Sequence, residues 1–272
     1  MPFLVHADDP ELVYECRPGA REVKDGVPLE INSAGFRGAE MPVERRPGVR
    51  RVAVVGDSVT FAEAVPNERT FAAQAANRLG AGWEVFNFGV TGYNSDQERI
   101  VLDRRVLPYA PDLVVIAYCM NDVTPTDGLG ALCMASHPSS WGRRLHSQVV
   151  TYVSDQVARR RSWKNRSFDR PAKLFERLAM LTKGGPMRAL VVLFPQLDEA
   201  NTGWNRPEEY DKARGLAESA GLEVLDLRQE IEKVPAASRG SLFLDRTHLS
   251  PAGHDLVAGL LADAVRRRLA AK

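Results

Sequence analysis

A chain of 272 residues with 44% apolar and 26% charged side chains has the composition of a globular protein that buries a substantial core. A formal net charge of +1 excludes a polyanion binder working through overall charge, so no nucleic acid is expected as a partner. Three cysteines, Cys16, Cys119 and Cys133, are too few and too irregular for a disulfide framework or a CxxC metal site.

In chain order, residues 1–50 carry Pro, Gly and charge with little periodicity and are expected to wrap the core as an extended arm. The opening stretch MPFLVHADDPELVYE lacks the basic start and apolar centre of a signal peptide. No apolar run approaches the roughly 18 residues that span a bilayer. A cytoplasmic protein without stable membrane insertion is therefore expected.

From residue 51 onward, short β-branched runs alternate with helical patterns. VAVV (52–55) precedes a helix expected over Asn67 to Leu79, and EVFNF (84–88) precedes one expected over Asn94 to Leu107. DLVVIAY (112–118) is followed by an irregular region, RALVVLF (188–194) by a helix over Pro207 to Ala220, and LEVLDL (222–227) by the last helical segments. Continuous apolar strands separated by helices indicate a parallel sheet covered on both faces. Right-handed crossovers then give a three-layer α/β/α sandwich. Ser250 suits the N-cap and Pro251 the first position of the final helix. Its apolar stripe is Leu256, Val257, Leu260, Leu261, Val265 and Leu269.

Residues 124–186 read as an insertion between the third and fourth strands. From Trp141 to Lys173 it holds nine basic residues (Arg143, Arg144, Arg159, Arg160, Arg161, Lys164, Arg166, Arg170 and Lys173) against Asp155 and Asp169, an excess of seven positive charges. Such a run suits a solvated helix face, or a lid that attracts an anionic substrate.

Ligands of open α/β sheets bind at the carboxyl ends of the strands, and Ser58 stands there in RVAVVGDSVTF. A serine hydroxyl becomes a nucleophile when a base takes its proton and a third group orients that base. Of His6, His137, His146, His248 and His254, only His248, in FLDRTHLSPAG, has such a setting, with Asp245 three residues before it. His254 reads as a helix-surface residue. A serine after a strand often only caps the next helix, and Asp-x-x-His often only caps a turn. Their coincidence at opposite ends of a parallel α/β pattern is what points to acyl transfer. Acyl transfer also needs donors for an oxyanion. The N–H groups of Ser58 and Gly89 and the amide of Asn121 fall on that same edge. Asp57 is expected to hold the turn rather than to join the triad.

GDSVT (56–60), NFGVTG (87–92), MND (120–122) and DRTH (245–248) resemble, in order and spacing, the four blocks of the SGNH, or GDSL, hydrolase superfamily. The resemblance implies a flavodoxin-like sandwich with a five-stranded parallel sheet and, as activity, the cleavage of carboxylic esters. Carried over, Ser58 is the nucleophile, His248 the base, Asp245 its orienter, and Ser58, Gly89 and Asn121 the oxyanion hole. Cys119 stands where the block commonly has glycine. The arm segment NSAGFRG (32–38) also resembles one that precedes the sandwich in some bacterial members. The expected domains are the arm, 1–50, and the hydrolase domain, 51–272. The expected substrate is a small-molecule or carbohydrate ester with a short acyl group such as acetyl, an anionic ester if the basic insertion forms a lid. No cofactor and no metal are expected. An acyltransferase built on the same acyl-enzyme, and a flavodoxin-like module binding phosphate or nucleotide, are the competing readings; GDSVTF lacks the glycine spacing of a phosphate loop.

Overall fold

The computed structural model describes residues 3–125, 164–199 and 203–269. Most of the basic insertion lies outside the described residues, Arg143, Arg144, Arg159, Arg160 and Arg161 included.

The arm is not simply extended. It forms two antiparallel hairpins, β1 (Leu4–His6) with β2 (Tyr14–Cys16) and β3 (Arg21–Lys24) with β4 (Val27–Glu30). Asp25 and Gly26, at φ 50° and 81°, turn the second hairpin. Asp-Gly is the dipeptide that such a left-handed two-residue turn favours. Phe3, Leu4, Leu12, Tyr14, Leu29 and Phe36 then enter the same core as the sandwich.

Five parallel strands come next, β5 (Arg50–Gly56), β6 (Trp83–Gly89), β7 (Leu113–Tyr118), β8 (Arg188–Leu193) and β9 (Val224–Asp226). Their order in the sheet is β6-β5-β7-β8-β9. The apolar runs are continuous because both faces are covered. Ala53 and Val55 pack into one core, Val52 and Val54 into the other. Single turns α1 (Ser58–Phe61) and α7 (Ala236–Arg239) come after β5 and β9 in the chain. Helices α2 (Phe71–Leu79), α6 (Leu227–Ile231) and α8 (Pro251–Leu269) cover the second face, α3 (Ser95–Val101), α4 (Asp169–Thr182) and α5 (Pro207–Ser219) the first. The structure is therefore the expected α/β/α sandwich. Among the described residues, no helix is long and apolar enough to cross a membrane.

Two expected boundaries move. Helix α4 belongs to the sandwich rather than to the insertion, because Leu174, Phe175 and Leu178 are fully buried on the sheet between β7 and β8. The helix expected over Asn94–Leu107 is regular only to Val101 and widens into a π turn at Leu102–Val106, which keeps both of those end residues in the core. As expected, the final helix begins at Pro251, with Ser250 Oγ accepting from Gly253 N–H at 3.2 Å.

Register fixes where the loops emerge. Gly56 of β5 pairs with Gly89 of β6 and with Ala117 of β7, so the three chains leave the sheet at one level. Arg51 anchors the opposite, N-terminal end. Its buried guanidinium meets Glu84 at 2.8 Å and donates to the arm carbonyls of Pro42, Val43 and Glu44 and to Tyr109 O.

Near the carboxyl edge the core holds two carboxyl groups that have no cationic partner among the described residues. Glu98 of α3 and Asp122 are both fully buried, and among the described residues both Glu98 oxygens and Asp122 Oδ1 lack hydrogen-bond partners. Burial, reinforced by Asp57 at Glu98 and by Glu98 and Asp57 at Asp122, holds both pKa values well above the ordinary carboxylate range. A carboxyl whose folded pKa is raised binds more protons folded than unfolded, so it removes stability as pH climbs above its unfolded pKa. Glu98→Gln is accordingly expected to raise Tm at pH 8 and to leave it unchanged near pH 4, read by thermal melts across that range. An equal shift at both values would trace the effect to packing instead.

Candidate active site

Ser58 is the first residue of α1, a single turn that begins two residues after the interior strand β5 ends. The turn starts there because Asp57 caps it, Oδ1 accepting from Val59 N–H at 2.9 Å. Ser58 is left half-buried, with its hydroxyl at the sheet edge.

His248 reaches it from the other end of the chain. Ser58 Oγ lies 3.0 Å from His248 Nε2, and His248 Nδ1 lies 2.7 Å from Asp245 Oδ2. The loop is pinned around them. Asp245 Oδ1 accepts from the N–H groups of Thr247 and His248, both at 2.7 Å, and Leu244 N–H donates to His248 O at 2.8 Å. Partial burial raises the Asp245 pKa, but the backbone and ring N–H groups of His248 and the Thr247 N–H outweigh it and hold the carboxyl below its ordinary value. An ionised carboxylate only accepts, so Nδ1 carries the imidazole proton and Nε2 is free to take one from Ser58. Ser58, His248 and Asp245 thus stand in one hydrogen-bonded chain, an arrangement that can activate a hydroxyl for acyl transfer.

Asn121, in the 3₁₀ turn Met120–Val123 after β7, is brought to the same edge. Its Nδ2 donates to Asp57 Oδ2 at 2.7 Å and, more weakly, to Tyr93 O at 3.4 Å. Asp57 therefore holds the turn as expected and also orients Asn121. Burial raises the Asp57 pKa, and the Val59 N–H, Asn121, His248 and Ser58 N–H oppose that rise. Cys119, in the glycine position of its block, is buried. Its N–H meets Asp122 Oδ2 at 3.0 Å, and burial keeps its thiol well above the ordinary range and so inert.

Gly89 differs from expectation. Its N–H is already donated to Asn87 Oδ1 at 2.9 Å, and a Cβ there would stand 2.5 Å from Phe61 N. Glycine is required at 89 because α1 packs directly on it. The second glycine of the block, Gly92, sits at φ +82° and is half-buried, and no acceptor for its N–H is found among the described residues. The next residue is Tyr93, whose carbonyl meets the Asn121 amide. Two glycines in NFGVTG are the available signal, and their different roles depend on tertiary contacts.

His254 also departs from the reading as a surface residue. It is 2% exposed, stacked on Phe71, and its Nδ1 accepts from Phe71 N–H at 3.2 Å. Burial, then the charges of Arg37 and His248, lower its pKa to about 4, so it is neutral at physiological pH.

Beside Ser58 is a cavity of about 160 Å³ lined by His248, His254, Val59, Ala62, Leu244 and Leu249, among others. A larger one, about 630 Å³, lies between the arm and α2 and includes none of Ser58, Asp245 and His248. The chemistry, not the size, marks the site. Among the described residues, no group of three or more His, Cys, Asp or Glu is placed to hold a metal ion.

The fold is shared with known structures. A lipase/acylhydrolase from Enterococcus faecalis superposes with a TM-score of 0.53 at 19% identity, covering 81% of this chain and 97% of its own. An acetyl xylan esterase superposes with a TM-score of 0.51 at 20% identity, covering 79% and 99% respectively. No protein of curated function matches the sequence significantly. The profile of the GDSL-like Lipase/Acylhydrolase family matches residues 54–256, a stretch that begins inside β5 and ends beyond His248. The chain belongs to that family and is an ester hydrolase.

Proposed function

We propose that the protein is a serine esterase that removes a short acyl group, acetyl foremost, from a small molecule or sugar through an acyl-enzyme on Ser58. The observation that carries this reading is the unbroken hydrogen-bonded chain Ser58–His248–Asp245 at the carboxyl edge of the sheet.

Ser58 Oγ adds to the ester carbonyl carbon while His248 Nε2 takes its proton, and Asp245 stabilises the imidazolium. The carbonyl electron pair moves onto oxygen, where Ser58 N–H, Asn121 Nδ2 and Gly92 N–H are the donors we assign. Collapse expels the alcohol, which leaves with the proton from His248. Water then attacks the acyl-enzyme with the same base, releasing the acid and restoring Ser58. Gly92 replaces Gly89 in this scheme because the single Gly89 N–H is already engaged, whereas Asn121 Nδ2 has a second hydrogen held only by the 3.4 Å contact to Tyr93 O. The cavity of about 160 Å³ beside Ser58 favours a short acyl group, and the similarly folded acetyl xylan esterase is named for an acetyl substrate. The basic excess between Trp141 and Lys173 comes after Asn121 in the chain and favours an anionic ester. Cys16 and Cys119, free and buried among the described residues, agree with a cytoplasmic setting.

Ser58→Ala and His248→Ala should each abolish nearly all hydrolysis of p-nitrophenyl acetate, with the double variant scarcely worse, because such residues act as a unit. A fluorophosphonate should add covalently to the wild type and not to Ser58→Ala, read by intact mass; equal labelling of the variant would remove Ser58 as nucleophile. Asn121→Ala should lower kcat by about 10²–10³ with little change in KM, since its donor acts on charge present mainly in the transition state. A raised KM at unchanged kcat would make Asn121 a binding residue instead. For anionic esters kcat/KM should fall as salt rises and screens attraction over ~8–10 Å, while neutral esters hardly respond. In Arg159→Ala/Arg160→Ala/Arg161→Ala the difference should vanish.

A further inference from the structure

The helix that carries Ser58 is too short to hold itself. One turn fixes several backbone dihedrals for very few hydrogen bonds, and isolated turns do not persist. Besides the cap at Asp57, α1 has two bonds of this kind at its end, Phe61 N–H to Asp57 O at 2.9 Å and Ala62 N–H to Ser58 O at 2.8 Å. It then stops on Ala62, a non-glycine residue in the left-handed region (φ 60°, ψ 49°), a conformation that L side chains disfavour. The terminal carbonyls of such a turn have no helical partner and must find donors elsewhere.

The donor comes from the arm. Arg37 in NSAGFRG is 2% exposed, and its guanidinium is spent on the end of this turn and on the segment that follows it. Nη1 donates to Phe61 O at 2.8 Å and to Ala62 O, Nη2 donates to Val65 O, and Nε donates to Asn67 Oδ1 at 2.7 Å. The guanidinium also sits 5.4 Å over the Phe61 ring, which stacks on Phe3 of the arm at 5.3 Å. Burial lowers its pKa to about 10, with the charges of Glu63 and Glu68 opposing that fall, so the cation persists at neutral pH. A cation at the C-terminal end of α1 also complements the helix dipole.

We infer that Arg37 is a positioning residue for catalysis: by closing the C-terminal end of the nucleophile's helix, it holds Ser58 Oγ in line with His248. The arm is then part of the catalytic apparatus and not only a cover for the core. Arg51 supplies the contrast. It is as deeply buried and ties the arm just as extensively, but at the N-terminal end of β5, away from Ser58. If the arm acts only through folding, the two arginines are equivalent; if Arg37 positions Ser58, they are not.

This inference rests on Ser58 being the nucleophile, which fluorophosphonate labelling of Ser58→Ala tests separately. The comparison uses the full chain of Arg37→Ala and Arg51→Ala, assayed on p-nitrophenyl acetate below both melting temperatures, with folded fraction measured by circular dichroism. Displacing a reacting group by about 1 Å costs on the order of 10² in rate. Arg37→Ala should therefore lose about 10–100-fold in kcat and, in parallel, in the rate of fluorophosphonate labelling, with KM within about twofold. Guanidinium ion at non-denaturing concentration should restore part of the loss by refilling the vacated donor site. Arg51→Ala should lose Tm while its kcat per folded molecule stays within about twofold. Wild-type kcat in folded Arg37→Ala, or equal loss of kcat in the two variants, would overturn the inference. Should either Ala variant fail to fold, Arg37→Lys and Arg51→Lys repeat the comparison. An ammonium cannot span Asn67 and three carbonyls at once, so Arg37→Lys should still lose kcat, and wild-type kcat in folded Arg37→Lys would overturn the inference equally.

Discussion

The 3.0 Å contact between Ser58 Oγ and His248 Nε2 is the interaction that the rest of the molecule is arranged to keep. The two residues are 190 positions apart, so no local structure can hold them together. The parallel sheet does so indirectly. Strand β5 lies inside the sheet with β6 and β7 as neighbours in register, so the turn after Gly56 emerges at a fixed height beside the loops after Gly89 and Ala117. On the other side, α8 packs on α2 through Val257, Leu261 and Val265, and the loop before it is tied at Leu244, Asp245 and Ser250. Core packing on one face therefore sets the distance between Ser58 and His248.

The arm and the sandwich cannot be separated in this scheme. Tyr14 donates to Thr91 O at 3.0 Å, Gln97 Nε2 donates to Leu12 O at 2.7 Å, and Tyr93 donates to Tyr14 O. These bonds hold the loop after β6, which carries Gly92, from the arm side. The turn after β5 is held from the arm side by Arg37. A sandwich without residues 3–41 would lose the packing of Phe3, Tyr14, Leu29 and Phe36 and leave both loops untied, so the arm and the hydrolase domain share one core.

Legibility in the sequence tracks the range of the interactions involved. Strands β5 to β8 can be read because a doubly covered strand is apolar throughout, and Ser58, Asp245 and His248 because their local settings are short and specific. Gly89, His254 and α4 differ from expectation for one reason: each depends on the residues packed against it. Nothing near Gly89 in the chain announces that Phe61 N lies 2.5 Å from where its Cβ would be. His254 stands shortly after a helix cap, as an outward-facing residue can, yet Phe71, 183 positions earlier, covers it. Helix α4 merges in the sequence with the irregular stretch before it because basic residues flank its apolar stripe, and only the closure of β7 onto β8 requires a crossover there. The Asp-Gly turn of the second hairpin, by contrast, is a purely local signal.

Asp57 poses the remaining electrostatic problem. In the proposed mechanism, a carboxylate next to Ser58 would oppose the oxyanion formed beside it, since unlike surface charges a buried one is poorly screened. The structure limits that opposition in two ways. Val59 N–H and the Asn121 amide both donate to the Asp57 oxygens, so its negative charge is spread over fixed dipoles. Burial pushes its pKa upward, and the neighbouring buried Glu98 and Asp122, themselves raised well above the ordinary range, add no cation that would lower it. The charge that does favour ionised Asp57 is His248. In the mechanism proposed above, that charge appears when His248 takes the Ser58 proton, so Asp57 is stabilised in the same step that generates the oxyanion.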